Sequence, residues 1–209
     1  MPNSEESLFD VVERYYSDKI RAHGATPSGV DWNGADSQRL RFTQLLKLTD
    51  EQLVGTLNDV GCGYGALCDF LLETHREADY LGIDISEEMI AIAQKSHAKS
   101  KHCRFIVSPR PDRIADYTVA SGIFNVRPGI DELSWQNHIN GVLDSMRESS
   151  MKGFGFNCLT LYSDPERRRD YLHYADPCEL FKFCKERYSR NVALLHDYEL
   201  YEFTILVRL

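Results

Sequence analysis

The chain has 209 residues, 43% of them hydrophobic and 27% charged, which is enough for one substantial core but cramped for two catalytic domains. No apolar run approaches the roughly 20 residues that cross a bilayer, and the first residues lack a basic segment followed by an apolar one, so a cytoplasmic protein with no membrane partner is expected. A formal net charge of -8 at pH 7 argues against broad binding to a phosphate backbone, and no nucleic-acid partner is expected.

From Leu8, the apolar positions Val11, Val12, Tyr15 and Tyr16 share one helical face and predict an amphipathic helix ending near Gly24. The loop 24–34 combines turn formers with Trp32, so it reads either as a lid or as a segment whose tryptophan covers the core edge. Asp36 or Ser37 is expected to cap a second helix running to about Leu48. Residues 1–52 would then be a helical extension ahead of a core at 53–209. A first strand over 53–60 breaks into Gly61-Cys62-Gly63-Tyr64-Gly65, and Leu67, Phe70, Leu71 and Thr74 resume with helical spacing.

Residues 79–85 predict a second strand, with Ser86 capping the helix that follows. Residues 103–107 predict a third, and an unusually short crossover through Ser108-Pro109 leads to a fourth over 117–124. Ser134 is expected to cap a helix whose stripe includes Trp135, Ile139, Val142 and Met146. Residues 153–160 predict strand five, with 162–174 an insertion or helix leading away from it. Arg167-Arg168-Arg169 within that segment reads as a solvated helical face. Asp176-Pro177-Cys178-Glu179 combines an N-cap, proline at the first helical position and Glu at the third, opening a helix to about Arg187. Strands over 192–195 and 203–208 are too close for a parallel crossover and must pair antiparallel. The six cysteines contain no Cys-x-x-Cys pair, so neither a metal site nor a disulfide framework is expected.

This alternation implies an α/β fold: a largely parallel, doubly wound sheet with helices on both faces and a final strand running against the others. In such sheets a ligand binds beyond the carboxyl ends of the strands. Gly61 to Gly65, Asp84, Ser108 and Ser121-Gly122 all fall there. Asp84 lies about 20 residues past the glycines, where an acidic side chain can take ribose hydroxyls. The glycines also satisfy the permissive dinucleotide pattern G-x-G-x-x-A, which leaves a nicotinamide-dependent oxidoreductase open. Asp59, two residues before the first glycine, would face a pyrophosphate unfavourably and better suits the ammonium of an amino-acid moiety.

At these residues the chain resembles the class I S-adenosylmethionine-dependent methyltransferases, whose first motif D-x-G-x-G-x-G is matched by Asp59, Gly61, Gly63 and Gly65. The resemblance implies a Rossmann-like sheet of seven strands with an antiparallel C-terminal strand. It implies that the loop, Cys62 included, cradles the methionine portion of S-adenosylmethionine, with Asp84 on the ribose and Ile85 against adenine. Residues 117–126, with Ser121 and Gly122, look like the fourth motif, beneath the transferable methyl. Ser108-Pro109 stands where the family often places an acidic or amide residue.

The expected reaction is methyl transfer to an oxygen or nitrogen of a small polar metabolite, the small-molecule acceptor being the partner. Ser121-Gly122-Ile123-Phe124 replaces the Asp/Asn-Pro-Pro-aromatic motif of nucleic-acid methylation. His173, Tyr174 and His23 are candidates for orienting or deprotonating the acceptor, against the structural role that a lone histidine more often has. Trp32 and Arg41 are candidates for closing over the methionine end, Arg41 by pairing with its carboxylate, against edge packing and an exposed charge. A non-catalytic S-adenosylmethionine-binding protein is a further alternative.

Overall fold

The computed structural model describes residues 8–24, 26, 34–49, 53, 55–76, 78–127 and 129–209. Its strands are β1 Gly55–Val60, β2 Ala78–Asp84, β3 Cys103–Val107, β4 Ala115–Ala120, β5 Ser150–Leu159, β6 Asn191–Leu195 and β7 Glu202–Arg208. They form one sheet in the order β3-β2-β1-β4-β5-β7-β6. The first five pair in parallel, and β7 runs antiparallel to both β5 and β6. This is the Rossmann-like, doubly wound sheet the alternation implies, closed by the antiparallel hairpin.

Burial runs unbroken along β1 from Leu57 to Val60 and along β4 from Tyr117 to Ala120, because helices cover both faces of a parallel sheet. Successive side chains then divide between two cores. Leu57 and Tyr80 pack with Phe42, Leu67 and Phe70, whereas Val60 and Leu81 pack with Trp135, Ile139 and Leu180. The first core lies under α2 Ala35–Leu45 and α3 Ala66–Glu73. The second lies under α5 Glu132–Glu148 and α6 Pro177–Arg187, joined by Val12 of α1 Leu8–His23. Beside β3, α4 Glu87–Ser96 completes the set.

Two caps sit where the sequence puts them: Ser86 Oγ accepts from Met89 N at 3.3 Å, and Asp176 Oδ1 accepts from Cys178 N at 2.8 Å. The cap of α5 is instead Asp131, whose Oδ1 accepts from Ser134 N at 2.9 Å, so this helix opens earlier than a Ser134 cap allows. A carboxylate gains from the positive helix end as well as from the hydrogen bond. Neither Asp36 nor Ser37 caps α2; Gly34 precedes it with no side-chain cap bond, and the helix tightens after Leu45 into a 3-10 turn, Leu46–Leu48. β1 begins after Leu53, whose φ of 41° places it outside a strand. β4 ends at Ala120, before Gly122 turns the chain at φ 77°.

Residues 162–174 form no helix leading away. After a 3-10 turn, Pro165–Arg167, the chain folds back, with Arg127 N donating to Tyr171 O and His173 N to Asn125 O, each at 2.8 Å. Bridges Val126↔Leu172 and Thr160↔Ala175 complete the attachment. The segment therefore forms a wall over the carboxyl ends of β4 and β5. Cys62, Cys68, Cys158 and Cys184 are buried free thiols. Among the described residues no helix is long and apolar enough to cross a membrane.

Candidate active site

The sheet order reverses at β1: the chain moves outward to β2 and β3, then returns to place β4 on the other side of β1. A crevice opens at such a switch point. Gly61, Gly63 and Gly65 turn the chain there with φ of 73°, 55° and 90°, a region that side chains seldom adopt. A Cβ on Gly61 would lie 2.1 Å from Ile123 Cγ2, and one on Gly65 would lie 2.8 Å from His97 Cε1. At both positions the missing side chain makes room for the protein's own residues, which tie the loop to the turn after β4 and to α4.

The loop amides are mostly committed. Gly61 N and Cys62 N donate to Ile83 O at 2.7 and 3.0 Å, and Gly65 N donates to Cys62 O at 3.0 Å. Gly63 N donates instead to Asp84 Oδ2 at 2.9 Å, while Asp84 Oδ1 accepts from Ser86 N at 2.9 Å. Asp84 thus sits at the end of β2 with each carboxylate oxygen holding one amide. Burial raises its pKa, and the amides of Ser86, Gly63 and Ile85 oppose that rise.

Asp59 is nearly fully buried at the mouth of the loop, and its Oδ2 accepts from Tyr80 Oη at 2.6 Å. Burial pushes its pKa up to about 7, against the Tyr80 hydrogen bond, and the negative charge of Asp84 adds to the rise. Near neutrality this carboxyl changes charge readily.

These groups line one cleft. Asp59, Gly61, Cys62, Gly63, Asp84, Ile85, Ser108, Ser121 and Gly122 all face it, whereas Gly65 supports it from behind. Ser121 and Gly122 are held by one side chain: Asn157 Oδ1 accepts from Gly122 N at 2.7 Å, and its Nδ2 donates to Ser121 Oγ at 3.3 Å. The chain also brings Tyr16 and Val12 of α1, Gln38 of α2 and His138 of α5 to the cleft. His138 stacks on Trp135 at 5.0 Å between centroids, and burial lowers its pKa, keeping the ring neutral. Its position three residues after Trp135 and four before Val142 puts it on the helical stripe already visible in the sequence.

Other expected residues lie elsewhere. Arg41 forms a bidentate pair with Glu202, Nε to Oε2 at 2.5 Å and Nη2 to Oε1 at 2.6 Å, and lines a second cavity. His173 is buried edge-on to Trp135, 6.4 Å between centroids, with Nδ1 3.5 Å from Glu132. Burial lowers its pKa, and it lines neither cavity. Tyr174 lines the second cavity, its hydroxyl accepting from Arg169 N at 3.0 Å. His23 is the last residue of α1, and Trp32 lies outside the described residues. Tyr16 and Gly122 border both cavities, which are therefore adjacent along that seam.

The comparisons with known proteins agree with this architecture. A methyltransferase-domain family model matches residues 58–148, from β1 through α5. Rv1506c of Mycobacterium tuberculosis H37Rv, which bears a methyltransferase name, is 55% identical over 153 residues, covering 73% of this chain and 92% of its own. Among solved structures, DhpI in complex with S-adenosylhomocysteine superposes with a TM-score of 0.69 at 17% identity, covering 98% of each chain. NodS, an N-methyltransferase of Bradyrhizobium japonicum WM9 also solved with S-adenosylhomocysteine, gives 0.66 at 15% identity over 94% of this chain and 97% of its own. The structural likenesses carry the fold and the close relative carries the family: this chain belongs to the class I S-adenosylmethionine-dependent methyltransferases.

Proposed function

We propose that this protein transfers a methyl group from S-adenosylmethionine to an oxygen or nitrogen atom of a small polar metabolite. The observation that carries the reading is the Asp84 carboxylate at the end of β2. An ionised carboxylate offers about four lone-pair positions; two are taken by Gly63 N and Ser86 N, leaving acceptor capacity on each oxygen for a pair of ribose hydroxyls. Ile85, Met89 and Pro109 give the same cleft apolar surface suited to adenine. Asp59 offers a carboxylate to an ammonium and would repel a pyrophosphate, so no observation favours the nicotinamide alternative.

When bound, S-adenosylmethionine supplies an electrophilic methyl carbon whose sulfur departs as a thioether with the electrons of the broken bond. The chain's own work is to hold the two reactants and exclude water, and such positioning contributes about 7–11 kcal/mol in favourable cases. His138, neutral and facing the cleft, is placed to accept a proton from an acceptor that must lose one. The second cavity, walled in part by Ser163, Tyr171, Tyr174 and Tyr201 and adjoining the cleft at Tyr16 and Gly122, supports a small acceptor over a polymer. The test is incubation with methyl-labelled S-adenosylmethionine and a metabolite extract of the source cells. Label is expected in a small product; cofactor binding without any transfer would favour a non-catalytic role.

Asp59 adds a pH signature. With its pKa near 7 in the ligand-free protein, Asp59 is protonated below that value and must ionise to pair with a ligand ammonium. Affinity for S-adenosylhomocysteine is therefore expected to rise as pH increases through about 7, with proton release on binding below it, and Asp59→Asn should flatten the profile. Calorimetry in buffers of different ionisation enthalpy reads the proton count; a flat profile in the unmodified protein would remove Asp59 from the ammonium site.

A further inference from the structure

We propose that the second cavity binds a methyl acceptor bearing an anionic group, with Arg167 and Arg169 holding that group while the methylated atom lies at the Tyr16–Gly122 seam. The inference rests on the methyltransferase reading above and adds a substrate class to it.

Arg167, Arg168 and Arg169 are all exposed, but they share no helical face, because the 3-10 turn ends at Arg167 and the chain is extended at Arg168. Arg168 turns back to support the wall, Nε donating to Ser163 O at 3.2 Å and Nη2 to Leu161 O. Its neighbours on either side both line the cavity. Arg167 lies over the Tyr201 ring at 5.5 Å and is 3.8 Å from Asp164, at the outer limit of an ion pair. Arg169 donates to the main-chain carbonyls of Glu166 and Arg168 and has no carboxylate within ion-pair distance among the described residues. The deeper charges of the cavity are already matched, Arg41 against Glu202.

What remains at the rim is Arg167, loosely paired with Asp164, and Arg169, with the exposed Glu199 opposing them, on a chain whose net charge of -8 otherwise repels anions. Guanidinium groups take carboxylate and phosphate oxygens with matched geometry. Tyr171, Tyr174 and Tyr201 add aromatic surface to the same cavity. An acceptor with a charged end and a nucleophilic end fits this polarity; a cationic one does not.

A metabolite extract of the source cells is divided on an anion exchanger into retained and unretained fractions. Each is added to the protein saturated with S-adenosylhomocysteine, and separately to protein with methyl-labelled S-adenosylmethionine. The retained fraction is expected to raise the melting temperature of the first and to take label in the second. Arg167→Gln with Arg169→Gln should abolish the shift and cut labelling at least about tenfold, leaving the affinity for S-adenosylhomocysteine unchanged. Phosphatase treatment of the fraction separates the sources: loss of the shift identifies a phosphomonoester, and its persistence an anion that phosphatase does not cleave, such as a carboxylate. Label or shift confined to the unretained fraction, neither in a protein that binds S-adenosylhomocysteine, or full response in the double variant would each overturn the assignment. Failure to bind S-adenosylhomocysteine would instead overturn the parent reading.

Discussion

Replacing Asp84 by alanine is expected to weaken binding of S-adenosylhomocysteine about ten- to a hundredfold, because hydrogen bonding from ribose to a charged group, worth about 1.5–3 kcal/mol net, is lost. The same change orphans the amides of Gly63 and Ser86, so a stability loss of about 1–3 kcal/mol should accompany it. Asp84→Asn separates the two effects. An amide oxygen can still accept from one main-chain donor, so stability should largely recover while affinity stays low. The pair of variants is read by calorimetry and urea unfolding, and unchanged affinity in both would place the ribose elsewhere.

The largest expected stability effect lies away from the cleft. Arg41 and Glu202 are both buried, 161 residues apart in sequence, and join α2 to the start of β7. Glu202→Ala removes the carboxylate that takes two hydrogen bonds from the buried Arg41 guanidinium, and breaking a buried pair in this way costs about 3–5 kcal/mol. For a chain of this length the melting temperature should fall by roughly ten degrees. Arg41→Met combined with Glu202→Leu should recover most of the loss, since the pair can be replaced by apolar groups of similar volume. Thermal and urea unfolding decide it; a loss below about 1 kcal/mol would show that water reaches the pair. Cofactor affinity should be unaffected, and a tenfold weakening would restore Arg41 to the role of clamp on the methionine carboxylate.

The contrast between Asp84 and Arg41 shows what the sequence made legible. Asp84's place at the cleft was visible because it is set locally: a strand of recognisable pattern ends there, about 20 residues beyond a glycine turn. The Cys103–Val107 strand and the Asp176-Pro177 helix start were legible for the same reason, each being specified by its own few residues. Arg41 carries no such signal, since its partner is fixed only when β7 enters the sheet beside β5. The hairpin's antiparallel sense followed from its short connection, but which of its strands meets β5 is a non-local packing choice. His138 was hidden differently, lying on a stripe whose other members are core, so periodicity alone assigned that face to packing. The exposure of Arg167, Arg168 and Arg169 is legible from their charge, whereas the single helical face is not kept, because the helical turn ends at Arg167 and Arg168 is extended.

Calorimetric titration of the protein with S-adenosylhomocysteine near neutral pH tests the central claim most directly. One molecule per chain should bind saturably in the micromolar range, with Asp84→Ala weakening it. No heat of binding at millimolar concentration would contradict the assignment of the glycine-loop cleft to the methyl donor.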